Sequence, residues 1–159
     1  MFEADLNIFL RVVVAMVLSA ILGWERESAQ KAAGLRTHIL VGMSSALFIA
    51  LGEIIAADFL RFGEHIRFDA GRLIEAVVTG ISFLGAGMII FRKQGSGVQG
   101  LTTAAGILST AGIGMLVGLH RYLLATGITL LVFVVLRILQ LVEPQRKAAE
   151  PAEGDSSID

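Results

Sequence analysis

The chain has no cysteine and only two prolines among its 159 residues. Without cysteine there is no disulfide frame, no thiolate nucleophile and no thiolate metal site. The three histidines, His38, His65 and His120, lack metal-ligand spacing, so a structural zinc site is excluded as well. Charge is scarce too. Thirteen Lys and Arg against fourteen Asp and Glu leave a formal net charge of -1, with no polybasic run, and this argues against a nucleic-acid partner, because neutralising phosphates takes a basic surface.

Apolar residues take the place of what is missing. They make up 55% of the chain, with 18 glycines, and the mean hydropathy is +0.75, which places the chain in a lipid bilayer. Five runs are each long enough, as helices, to cross a hydrocarbon core: Leu6 to Trp24, Ile39 to Ala57, Leu73 to Phe91, Leu101 to Leu119 and Tyr122 to Val142. The fold expected is therefore all-α, a polytopic bundle of about five transmembrane helices over residues 1–142. A disordered cytoplasmic tail is expected over 143–159, with no soluble domain after it, because the sequence there is too polar and too short to bury a core. The first run reads as a retained helix rather than a signal peptide, since Phe2-Glu3-Ala4-Asp5 is acidic where a basic region belongs.

Arg26, Lys31, Arg36, Arg92, Lys93, Arg146 and Lys147 fall on one side of this layout. Arg61, Arg67, Arg72 and Arg121 fall on the other. The positive-inside rule then predicts the N-terminus outside and the C-terminus inside. The connection from Asp58 to Arg72 mixes apolar and charged residues in a pattern that suits a segment at the headgroup boundary.

Two runs carry packing signals. In the fourth, Thr102, Gly106, Thr110, Gly114 and Gly118 recur every four residues and lay small side chains along one helix face, suited to close helix contact within the bundle or in a homo-oligomer. In the third, Gly80, Gly85 and Gly87 weaken the helix, so either a close neighbour compensates or the helix breaks locally and its carbonyls line a cavity. Gly95 to Thr102 has the look of a phosphate loop, but Leu101 stands where the essential lysine belongs, and nucleotide binding is discarded.

Four motifs in order, Gly23-Trp24-Glu25-Arg26-Glu27 followed by Ala33-Gly34-Leu35-Arg36-Thr37-His38, then Asp69-Ala70-Gly71-Arg72, Thr79-Gly80-Ile81-Ser82-Phe83-Leu84-Gly85-Ala86-Gly87 and Gly100-Leu101-Thr102-Thr103-Ala104-Ala105, resemble the MgtC/SapB family of bacterial inner-membrane proteins. The resemblance covers residues 6 to 142. It implies a role in magnesium homeostasis and in growth when magnesium is scarce. Ser82 stands where a glycine is usual in the family, and Gln99 where an arginine is frequent. Many relatives also carry a soluble regulatory domain after the last helix.

Two polar groups are candidates for function. Glu25, Arg26, Arg36, Thr37 and His38 would meet at the hairpin between the first two spans, with Glu25 and Arg36 as a polar lock that a partner protein or an ion engages. Glu53, Asp69, Arg72 and Glu75 would gather at the outer face, where Glu53, Asp69 and Glu75 are weak candidates for Mg2+, an ion held through one or two carboxylates with its waters retained. No resident cofactor is expected, and no catalytic group, because no nucleophile with base and orienting partner can be read. The function expected is that of a non-catalytic membrane protein of magnesium homeostasis working through membrane-protein partners. The alternative is a cation or small-solute transporter or channel.

Overall fold

The computed structural model describes residues 2–62, 69–91 and 100–147; for 59–62, 70, 91 and 139–147 only the backbone is described. Five helices follow one another: α1 (Phe2–Ser28), α2 (Leu35–Phe62), α3 (Ala70–Phe91), α4 (Leu101–Gly118) and α5 (Tyr122–Lys147). α1 to α4 each contain a stretch long and apolar enough to cross a membrane, and Tyr122–Ile138 supplies a shorter apolar stretch in α5. Four helices outrun the hydropathy reading, α1 at both ends and α2 and α3 at their starts. α2 continues five residues past Ala57, and α5 continues five past Val142, into part of the segment expected to be a disordered tail. The segment from 63 to 68, expected at the headgroup boundary, and the glycine-rich loop from 92 to 99 lie outside the described residues, as does the chain from 148 onward.

Helix direction alternates along the chain. Gly23 faces Leu35 and His38, and Gly42 faces Ser19, so α1 and α2 run antiparallel. Gly106 faces His38, Gly114 faces Ser45 and Gly118 faces Ile49, so α4 runs parallel to α2. Gly85 lies against Ala104 while Gly100 approaches the backbone of Met88, which makes α3 antiparallel to α4. A three-residue turn returns the chain from α4 into α5.

The core sits where α1, α2 and α4 meet. Ala15, Leu18 and Leu22 of α1, Ala46 of α2 and Ile113 and Val117 of α4 form one apolar cluster, closed on its other side by Ala125 and Leu136 of α5. In lipid, apolar burial gives no net drive between helices, so van der Waals contact at short range must hold them. The glycines make this possible. A side chain at Gly23 would stand 2.8 Å from the Cα of Leu35, and one at Gly118 would stand 2.7 Å from Cβ of Ile49. The four-residue strip on α4 is thus an intrachain contact from Gly106 to Gly118, while Thr102, one turn earlier, is exposed.

α3 departs from expectation. It is an unbroken helix in spite of Gly80, Gly85 and Gly87, so the locally broken helix is not what forms. Of the three, Gly85 has a neighbour, with Ala104 3.3 Å from where its Cβ would be. Among the described residues, nothing lies within 4 Å of the corresponding points at Gly80 and Gly87.

Candidate functional site

Two charged clusters mark opposite ends of the α1–α2–α4 core. At the hairpin end, Glu25 and Arg26 close α1. Adjacent helix residues do not ordinarily face each other, yet Arg26 Nε donates to Glu25 Oε2 at 2.7 Å and its Nη2 donates to Glu25 Oε1 at 3.3 Å. The side chains are 2% and 1% exposed. A buried ion pair is tolerated only when its geometry is good and its other polar atoms find partners, and this fork meets the first condition.

The hairpin is built around these two residues. Lys31 N–H donates to Arg26 C=O and Gln30 N–H to Glu27 C=O, a helix stop whose left-handed residue is Gln30 at φ 53° instead of the usual glycine. Glu27 Oε2 accepts the Leu35 N–H at 2.7 Å and so satisfies one of the orphan donors that open α2. Gly34 leaves room for that carboxylate, which lies 2.8 Å from where a Cβ would stand. One turn into α2, His38 is completely buried. Its Nδ1 lies 3.0 Å from the Gly34 carbonyl, which can only accept, so Nδ1 carries the proton.

The expected lock is therefore differently made. Glu25 and Arg26 are joined directly and share their end of the bundle with His38, whereas Arg36 is exposed and Thr37 half-buried. The guanidinium that forks Glu25 is Arg26, and Glu27 serves the backbone of α2. Arg36 was the more visible arginine in sequence because it follows an Ala-Gly-Leu turn. The fork depended instead on side-chain orientation at adjacent positions, which spacing does not report.

At the other end, Arg11 is 6% exposed. Its Nη1 donates to Glu53 Oε2 and to the Gly118 carbonyl, each at 2.7 Å, and thereby ties α1 to α2 and to the last turn of α4. His120 Nε2 stands 3.8 Å from the same Glu53 oxygen, and Tyr122 Oη lies 3.4 Å from His120 Nδ1. An open groove of about 450 Å³ between α1 and α2 is lined by Glu3, Asn7, Arg11 and Glu53 among apolar residues. The remaining outer residues are not part of this cluster. Asp69 opens α3, accepting the Gly71 N–H at 2.9 Å, and lies 3.7 Å from Arg72, with both side chains exposed; Glu75 is exposed as well. Among the described residues no group of three or more His, Asp or Glu is placed to hold a metal ion, so Glu53, Asp69 and Glu75 are not gathered into one group. His120 was the residue missed, whereas Arg11 stood out in sequence as a charge within a span but without Glu53 as its partner. A lone arginine at the sixth position of an apolar run was the available signal, since a charge inside a span faces protein, water or the interface.

Comparison with known proteins agrees with this architecture. Residues 12–145 match the MgtC family. The chain is 41% identical over 129 residues to the "Putative magnesium transporter YhiD" of Escherichia coli strain K12, covering 81% of this chain and 59% of that protein. It is 40% identical over 123 residues to "Protein MgtC" of Salmonella typhimurium strain LT2, covering 77% of this chain and 48% of that protein. An uncharacterised Haemophilus influenzae protein is 35% identical over 144 residues, 90% of this chain and 60% of its own length. The chain thus spans about half to three-fifths of the length of these curated relatives. No solved structure matches it. With a family match across all five helices and its own apolar spans, the chain is a multi-pass bacterial membrane protein and belongs to the MgtC family.

Proposed function

We propose that this chain is the membrane core of a magnesium-homeostasis protein that works through contacts with other membrane helices and performs no chemistry of its own. The observation that carries the reading is the face of α3 where Gly80 and Gly87, seven residues apart, have nothing within 4 Å among the described residues. A glycine facing lipid gives up about 1 kcal/mol of helix propensity relative to alanine. Small residues are also what lets membrane helices approach one another. The face suits a second helix, from another copy or from a different membrane protein. The magnesium connection rests on the family and on the printed name of the Escherichia coli relative.

That same name supports a second reading, a magnesium carrier, for which Glu53 and the groove beside it would be the outer entry. The orientation in either case is N-terminus outside and C-terminus inside, supported by the Lys and Arg asymmetry; reporter fusions should place residue 30 in the cytoplasm and residue 120 outside. The deciding experiment pairs growth with flux. In a deletion strain under magnesium limitation, Gly80→Leu/Gly87→Leu at matched membrane abundance should fail to rescue, while the wild-type chain in liposomes should pass no more magnesium than empty liposomes. Full rescue by the double variant would sink the helix-contact reading, and protein-dependent magnesium flux would establish the carrier.

A further inference from the structure

The groove of about 450 Å³ between α1 and α2 owes its space to small residues. Ala4 on α1 and Ala50 and Ala57 on α2 present only a methyl group to it, so no long side chain fills the gap between the two helices there. Ile8 and Ile54 supply its larger apolar surface. The antiparallel register that sets Gly42 against Ser19 puts Glu53 level with Ile8, and Glu3 then lies about 7 Å nearer the outer helix end.

Depth says what kind of molecule meets this groove. At 27 residues α1 is about 40 Å long, the thickness of a bilayer with its headgroups, which sets Glu3 at headgroup level and Arg11 about 12 Å further in. The groove therefore runs from the headgroup layer into hydrocarbon. Ile54 on its wall is 42% exposed, and the neighbouring Leu10 and Ile55 are exposed as well, a rim that faces acyl chains.

The polar side of the groove selects the headgroup. Glu3, Asn7, Arg11 and Glu53 all line it, two carboxylates against one guanidinium. That guanidinium is nine-tenths buried and already committed, since its Nη1 donates to Glu53 Oε2 and to the Gly118 carbonyl. The bond fixes Glu53 while leaving its side chain 41% exposed, and Glu3, in the first turn, is exposed too. One negative charge is in excess. Carboxylates only accept hydrogen bonds, so the fitting guest is a cation with N–H donors. A hydrated metal ion would leave Ile8 and Ile54 without a partner, whereas an amphiphile uses both sides of the groove.

We propose that this groove is a phospholipid site selective for a primary-ammonium headgroup. The ammonium donates to Glu3 and Glu53, the phosphate accepts from the Asn7 amide, and an acyl chain lies along Ile8 and Ile54. A choline headgroup, whose quaternary nitrogen carries no N–H, keeps the coulombic attraction alone and binds more weakly. A lipid seated there occupies the place that the carrier reading gives to the entry of the ion.

The test photolabels the full chain in detergent micelles with a phosphatidylethanolamine that carries a diazirine in its acyl chain, and maps the adducts by mass spectrometry. Adducts are expected at Ile8 and Ile54, with unlabelled phosphatidylethanolamine competing about fivefold better than phosphatidylcholine. Glu3→Gln leaves the Arg11–Glu53 bond untouched and should cut that preference to about twofold. Glu3→Gln/Glu53→Gln, whose new amide oxygen can still accept from Arg11, should bring it to parity. Ala4→Phe fills the groove with both carboxylates intact and should remove most of the adducts at the two isoleucines. Equal competition by the two lipids in the wild-type chain would overturn the proposal, as would a preference that survives in the double variant or adducts undiminished in Ala4→Phe. Free ethanolamine or Mg2+ at millimolar concentration should leave the labelling unchanged. Displacement by ethanolamine would make this a site for a soluble amine, and displacement by Mg2+ but not by Na+ at equal ionic strength would make it a divalent-cation site; either result overturns the assignment to a lipid.

Discussion

α4 and α3 are both apolar enough to cross a membrane and both rich in glycine, yet half of the α4 span is buried in the bundle against 6% of the α3 span. Mean hydropathy does not separate them; α3, the less buried, is the more hydropathic at 2.0 against 1.5. In a bilayer a lipid-facing helix and a central one are equally apolar, so the distinction lies in what the small residues meet. On α4, Gly106, Gly114 and Gly118 meet backbone and side chains of α2, and Gly112 has no described neighbour within 4 Å. On α3, Gly80 and Gly87 meet nothing within 4 Å among the described residues. The same residue type therefore holds the bundle together along one face of α4 and leaves a face of α3 open.

The strongest way to break this comparison is to attack the core through its charges. Arg26→Met leaves the Glu25 carboxylate buried without its fork, and stability should fall by about 3–5 kcal/mol, read from unfolding in mixed detergent micelles. Adding Glu25→Gln to that variant should recover part of the loss. Retained wild-type stability in Arg26→Met would show that the pair contributes nothing. A functional form of the same test compares conservative changes: Arg26→Lys should fail to rescue growth, because an ammonium cannot make two parallel bonds to a carboxylate, while exposed Arg36→Lys should rescue fully.

Gly114→Ala and Gly80→Ala sharpen the contrast between the helices. The new methyl at position 114 runs into the Gly42 carbonyl and the Ser45 side chain, so the backbones must part, with an expected loss of about 1–3 kcal/mol. At position 80 the methyl meets open space, and the isolated chain should gain up to about 1 kcal/mol from helix propensity. Equal effects at the two positions would erase the distinction drawn between α4 and α3.

The outer charge cluster should respond less than the hairpin one. Glu53 is 41% exposed, so Arg11→Met leaves a carboxylate that water can still reach, and the loss should be about 1–2 kcal/mol, partly from the Gly118 carbonyl that Arg11 also serves. A loss as large as that of Arg26→Met would mean that Glu53 is buried in the bilayer. The smallest effect is expected at Gln30, whose left-handed backbone favours glycine; Gln30→Gly should raise stability by about 0.5–1 kcal/mol in the same unfolding measurement.

Much of this molecule is determined by sequence alone. Runs of about twenty apolar residues, cut by short polar connections, leave helices crossing a bilayer as the available structure, because every backbone polar group in hydrocarbon must be satisfied within its own segment. The four-residue spacing from Gly106 to Gly118 likewise placed a contact face on α4, since the helical period alone puts those positions together. Tertiary structure decided which partner each polar group took. Arg26, not Arg36, forks Glu25, and Arg11, from a different helix, takes Glu53 away from Asp69 and Glu75. It also decided which glycines are left open, Gly80 and Gly87 of α3 among them. A helix period orders residues along one surface, but which surface faces another helix, and at what depth two charges meet, depends on how the helices are arranged around one another, and no local pattern records that arrangement.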